Sequence, residues 1–209
     1  MPRGSPPAIC PGRPVLVPLA AGTVLYRLHS SALAPDEFNV TISSDPRKGG
    51  RFDSNDGSYS YLYAGEDLAV AIAETLVRDL PFGPAPPRII PFAHVMGRKL
   101  SAITIGSDLD LVGLHGANLG QVGQDTWLTK CPAADYPLTR EWAKSIREWV
   151  PTAQGFVWRA SRDEDRFAHV LFGDRVSAGA ISGTVKMSAD SGAGLILVRA
   201  VLQKHNVTL

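Results

Sequence analysis

The sequence predicts an α+β fold in which mainly antiparallel β-sheets are flanked by helices. Short runs of β-branched and aromatic residues recur, bounded by Gly, Pro, Asp and Ser. Two stretches carry apolar residues at helical spacing. The two kinds of segment mix without a strict βαβα rhythm, which disfavours a doubly wound parallel sheet.

The elements follow in order. Residues 1–20 read as an extended, proline-rich segment, and residues 21–209 as a single domain with no internal repeat. A strand is expected at Thr23 to Leu28. From Ser43 to Ser58 the chain turns to Ser, Asp, Gly, Asn and Arg, which predicts a mobile loop too polar to pack. Tyr59 to Tyr63 reads as a short strand. A helix is expected from Glu66 to Leu80, with Leu68, Ile72 and Leu76 on one side, acidic residues in the first turn and Pro81 as a stop. Pro81 to Pro91 reads as irregular, followed by strands at Ile89 to Val95 and Leu100 to Ile105. Gly113 to Gly123 is ambiguous: its glycines lack GxGxxG spacing, so a surface loop is favoured over a phosphate loop. The clearest helix has Leu138, Trp142, Ile146, Trp149 and Val150 as an apolar stripe, with Arg140, Glu141, Lys144, Arg147 and Glu148 opposite. Further strands are expected at Gly155 to Trp158, His169 to Phe172 and Leu195 to Leu202.

Composition narrows the function classes. The 209 residues are 44% hydrophobic and 20% charged with a formal net charge of +1, so no general field draws the chain to nucleic acid or an anionic membrane. Cys10 and Cys131 stand alone without CxxC, which argues for a reducing compartment. Met1 to Pro14 holds five prolines and no signal-like apolar core, and the aliphatic run Leu195 to Val198 stops at Arg199. A cytoplasmic protein is expected. There is no Walker motif, no HExxH and no GxSxG, and the five histidines lack metal-ligand spacing, so no metal site is expected.

Five scattered segments place reactive polar residues where a plain core has no use for them. Each has a bland and a functional reading. Glu74, mid-helix, is either a surface carboxylate paired with Arg78 or an acid aimed into a cleft, where it could stabilise a developing oxocarbenium charge. Arg27 is either an edge-strand arginine with its head in solvent or a planar fork for a phosphate. Arg51, after Gly49 and Gly50, is either part of a solvated basic loop with Arg47 and Lys48 or a second clamp on a pyrophosphate. Tyr63 either packs or stacks on a base, its hydroxyl fixing a ribose. Ser161 either caps a turn or bonds phosphate, sugar or the nucleophile. Two guanidinium groups, an acid, a hydroxyl and aromatic rings together suit an anionic dinucleotide whose sugar–base bond breaks.

The segments in question are Tyr26-Arg27-Leu28-His29-Ser30, Gly50-Arg51-Phe52-Asp53, Leu62 to Ala69 running on to Ala73-Glu74-Thr75, and Gly155 to Ser161. In this order and separation, over roughly residues 22–175, they resemble the RES domain family. The resemblance implies a fold like ADP-ribosyltransferase toxins and a toxin that depletes NAD+, by phosphorolysis or hydrolysis of the nicotinamide–ribose bond. It implies Arg27, Glu74 and Ser161 as the name-giving triad, with Arg51 and Tyr63 as further NAD contacts. NAD+ would be substrate, inorganic phosphate a co-substrate, and no separate cofactor is implied. It further implies a cognate antitoxin over the cleft and allows a homodimer. Trp158 stands where the family pattern leads one to expect tyrosine. Protein ADP-ribosylation would use the same site, and a catalytically silent nucleotide- or partner-binding module is the alternative from another class.

Overall fold

The structure, a computed structural model, describes residues 4–43, 45, 48–80 and 88–209. The chain begins with strands β1 (Leu16–Leu19), β2 (Val24–Ser30) and β3 (Tyr61–Gly65), then helix α1 (Leu68–Leu76). Strands β4 (Arg88–Ile89), β5 (Arg98–Ile105) and β6 (Leu109–Gly113) follow. Two short helices, α2 (Asn118–Gln121) and α3 (Trp127–Lys130), lead to the long α4 (Tyr136–Trp149). The chain ends with β7 (Gly155–Ala160), β8 (Asp163–Phe172), β9 (Ile181–Ser188), α5 (Gly192–Lys204) and β10 (Val207–Thr208).

Eight strands form one sheet in the order β1-β6-β7-β8-β3-β2-β5-β9. Every neighbouring pair is antiparallel except β6 with β7. The class is α+β, as the sequence predicts. The sheet curls, because Leu25 and Ile103 of β2 and β5 share an apolar cluster with Leu109, Leu111 and Val157 of β6 and β7, which are not their neighbours in the sheet. The opposite face has two covers. Helix α4 and the short helices before it pack on β7 and β8 through Trp142, Ala143 and Ile146. Helices α1 and α5 pack beside β2 and β5 through Ile72, Leu76, Val198 and Leu202.

One seam in this sheet positions the site. Strand β2 pairs with β5 from Val24 to Ser30, but with β3 only at Tyr26 opposite Gly65. The two strands part beyond that rung, and α1 crosses the gap. Asp67 starts the helix as N-cap, its Oδ1 accepting from Val70 N at 2.8 Å. The helix lies close on β3: a Cβ on Gly65 would stand 2.7 Å from Ala71 N. The far end is held by Arg162, whose guanidinium donates to the carbonyls of Val77, Arg78 (2.8 Å) and Leu80. These bonds satisfy carbonyls left free beyond the helix end at Leu76, short of the expected Leu80; Pro81, the expected stop, lies outside the described residues.

Other expectations are corrected. Leu195 to Leu202 is helix, not strand: its buried residues Val198, Val201 and Leu202 recur at helical spacing while Ile196 is exposed. The apolar run from Ile89 to Val95 contributes only Ile89 to a strand before a 3-10 turn at Phe92–His94, since Pro91 has no N–H for a ladder. Much of the stretch 81–91 read as irregular lies outside the described residues. The loop judged too polar to pack is buried from Gly50 to Ser54. On α4, Arg140 and Arg147 belong to the buried side, not the solvated one. Arg147 stacks on Tyr59 and Phe172 and pairs with Asp174 at 2.7 Å. Within the stretch 1–20 read as an extended lead-in, Leu16–Leu19 join the sheet along β6. Cys10 and Cys131 are free thiols.

Candidate active site

A cavity of about 720 Å³ opens at the seam between β2 and β3, within the roughly 300–1,000 Å³ range of small-molecule sites. Its walls include Arg27 and His29 of β2, Tyr63 of β3, Glu74 and Arg78 at α1, and His169 of β8. Of the residues expected at a site, Arg27, Tyr63 and Glu74 therefore line one space.

Arg27 is not an edge residue with its head in water. Its strand is internal and the side chain is 6% exposed. Nη1 donates to the carbonyls of Pro35 at 2.7 Å and Glu37 at 2.8 Å, which fixes the fork against the following loop. Nε and Nη2 make no hydrogen bond among the described residues. Burial lowers its pKa to about 10, still cationic at neutral pH. The result is a preoriented cation with donors to spare.

The loop with the paired glycines is locked from several sides. Arg140 donates to the carbonyls of Gly50 (3.0 Å) and Lys48, Thr139 to Arg51 O (2.7 Å), Tyr59 to Phe52 O (3.0 Å), and Arg78 to Gly49 O (3.1 Å). Gly50 is needed because a Cβ there would lie 2.5 Å from the Tyr63 hydroxyl. That hydroxyl is committed: it donates to Asp53 Oδ1 at 2.9 Å and accepts from Phe52 N at 2.9 Å. The Tyr63 hydroxyl is thus engaged internally, while the residue lines the cavity. Burial, joined by the Asp53 charge, pushes the Tyr63 hydroxyl well above the ordinary phenol range.

Glu74 and Ser161 meet directly. The backbone N–H of Ser161 donates to Glu74 Oε1 at 2.5 Å. Glu74 Oε2 is buried without a hydrogen-bond partner among the described residues. The anticipated Glu74–Arg78 pair is displaced, because Arg78 pairs with Asp79 at 2.9 Å. Even so, Arg78 and Arg162 lie close enough to feel the Glu74 charge. Arg51 donates from Nη1 to Ser161 Oγ at 3.1 Å and from Nη2 to Cys131 O at 3.5 Å. It is 1% exposed, and neither it nor Ser161 lines the cavity. Arg51 thus supports the Ser161 turn from behind, where a direct clamp had been expected. The turn is also held by Lys130, which donates to Arg159 O and Ala160 O at 2.9 and 2.6 Å.

Sequence reasoning missed several residues of this site. Arg78, Asp79 and Tyr136 form a charged corner, with the Tyr136 ring between the guanidiniums of Arg51 (5.5 Å) and Arg78 (5.3 Å) and its hydroxyl 2.5 Å from Asp79 Oδ1. His29 is buried on the cavity wall, its Nε2 2.8 Å from Ser101 Oγ. Its pKa falls to about 4 through burial and the Arg27 charge, so the ring is neutral. Among the described residues no cluster of His, Cys, Asp or Glu could hold a metal ion, and no helix is long and apolar enough to cross a membrane.

A family model described as the RES domain matches residues 24–189. The chain belongs to the RES domain family. A solved structure titled as the crystal structure of the M. tuberculosis MbcT–MbcA toxin–antitoxin complex contains a chain similar to this RES protein in fold. The TM-score is 0.53 at 13% identity, over 83% of this chain and 88% of that one. No curated protein matches the sequence.

Proposed function

We propose that this RES domain cleaves the nicotinamide–ribose bond of NAD+ and acts as the toxin of a toxin–antitoxin pair. The observation that carries the chemistry is the Glu74 carboxylate: one oxygen anchored by Ser161 N–H, the other buried, unpaired and on a cavity shared with Arg27. A buried acceptor without a partner costs about 1–3 kcal/mol, and that cost is relieved when positive charge develops beside it. In bound NAD+ the charge resides on the nicotinamide ring; it passes to the ribose as the bond breaks, and a fixed carboxylate stabilises it there.

In this reading the free donors of Arg27 take pyrophosphate oxygens and the Tyr63 ring stacks on the nicotinamide. The C1′–N bond breaks with its electron pair going to the ring nitrogen, so nicotinamide leaves neutral. An oxygen of phosphate or water then bonds to C1′, giving ADP-ribose 1″-phosphate or, with loss of a proton, ADP-ribose. Phosphate is favoured as acceptor, because Arg78 stands beside Glu74 on the same cavity. The toxin role rests on family membership and on the likeness to a chain from a toxin–antitoxin complex.

The test is nicotinamide release from NAD+ by the purified protein, with and without inorganic phosphate. Release that depends on phosphate is expected. Release at equal rate without phosphate would replace phosphorolysis by hydrolysis, labelled protein would point to ADP-ribosylation, and NAD+ bound but intact would refute cleavage.

A further inference from the structure

Three histidines line the cavity: His94 is exposed, and the two buried ones, His29 and His169, differ in one respect. Both ring nitrogens of His29 are occupied: Nδ1 lies 2.9 Å from Ser30 O and Nε2 2.8 Å from Ser101 Oγ. His169 is 5% exposed, lines the same cavity, and its Nδ1 is buried with no hydrogen-bond partner among the described residues. It sits opposite Ala64 of β3 and Val157 of β7. Those two neighbours belong to the apolar layer inside the curl of the sheet. A polar ring in that layer lowers stability by leaving a donor or acceptor unsatisfied. Leucine would pack there without such a cost, so what the imidazole offers is a hydrogen bond to whatever fills the cavity.

We infer that His169 is a specificity residue that hydrogen-bonds an uncharged donor–acceptor group of the bound dinucleotide, either a ribose hydroxyl or the nicotinamide carboxamide. The inference rests on the NAD+ reading. Burial lowers the imidazole to about pKa 4, so at neutral pH it presents one N–H and one lone pair and no charge. A hydroxyl or carboxamide matches that pair of functions. The phosphates are matched instead by Arg27, a permanent cation on the same wall.

The experiment compares wild type, His169→Leu and His169→Asn, all first checked by thermal melting without ligand. His169→Leu should melt no lower than wild type, since it removes an unsatisfied buried atom. It should raise KM for NAD+ by about tenfold with kcat within about threefold, and His169→Asn, which keeps a polar amide, should recover most of the loss. ADP-ribose and nicotinamide are then used as separate probes. Weakened ADP-ribose binding in His169→Leu assigns the contact to a ribose hydroxyl. Intact ADP-ribose binding with lost product inhibition by nicotinamide assigns it to the carboxamide. An active wild type with an unchanged KM in His169→Leu overturns the inference alone, and a lowered melting temperature in that case marks a structural histidine. A wild type that releases no nicotinamide overturns the NAD+ reading and this inference with it.

Discussion

The two walls of the cavity are built on opposite plans. On the α1 side, Glu74, Ser161, Arg51, Arg78, Asp79 and Tyr136 form a network of charges and hydrogen bonds in which one carboxylate oxygen is left over. On the β2 and β8 side, Arg27 stands among neutral imidazoles and apolar strand residues, with Arg98 of the neighbouring β5 also on the lining. A network that fixes an acid suits the step in which charge develops, because its dipoles are already oriented. A wall with a preoriented cation and uncharged hydrogen-bonding groups suits holding a ligand. The comparison assigns chemistry to one wall and binding to the other, and variants can break that division.

The largest effect is expected from Glu74→Gln, which keeps the shape and the Ser161 contact but removes the charge. Nicotinamide release should fall by about 10²–10³-fold in kcat with the melting temperature little changed. Steady-state rates check this, and an unchanged kcat would remove the acid from the reacting wall. Next is Arg27→Met. Loss of charge-assisted bonds should raise KM for NAD+ by about 10–100-fold. The carbonyls of Pro35 and Glu37 lose their donor as well, so this variant should also melt at a lower temperature. A fall in kcat at constant KM would place Arg27 on the wrong side of the division.

Ser161→Ala should cost about tenfold, through loss of the hydroxyl that accepts from Arg51. Glu74 is held by the backbone N–H at 161 and not by the side chain. A loss as large as that of Glu74→Gln would mean that the hydroxyl itself takes part in the reaction. The smallest effect is on stability. Burial depresses His29 and His169 to about pKa 4 from the ordinary 6.5, so the unfolded chain binds more protons than the folded one between those values. Stability should therefore be full above about pH 6.5 and decline as pH falls toward 4. Denaturant titrations at pH 7 and pH 5 measure the decline, and His169→Leu should make it shallower.

Much of this site is legible in the sequence, for a physical reason. Arg27, Tyr63 and Glu74 sit on regular elements whose apolar patterns are clear, so their order along the chain translates into neighbouring positions around the seam. Residues that act through carbonyls are harder to see. Arg140 and Thr139 occupy positions on α4 that look like a polar face, yet they bury the loop of residues 50–54 by bonding its backbone. No pattern of side chains announces a carbonyl that needs a donor. The run Leu195 to Leu202 reads as a strand because Leu, Ile and Val fit either period when the run is short. Strand β9 leaves a weak mark, since Gly183 and Thr184 interrupt the alternation of Ile181, Val185 and Met187 with Ser182, Lys186 and Ser188. His169 reads as one of five scattered histidines, since its meaning comes from strand register and an unfilled nitrogen.

The most direct test of the two-wall account is a paired measurement of NAD+ affinity by calorimetry in Glu74→Gln and Arg27→Met. The account predicts that Glu74→Gln, although slow, binds NAD+ within about threefold of wild type, while Arg27→Met binds at least about tenfold more weakly. Equal weakening in both variants, or loss of binding in Glu74→Gln alone, would contradict it.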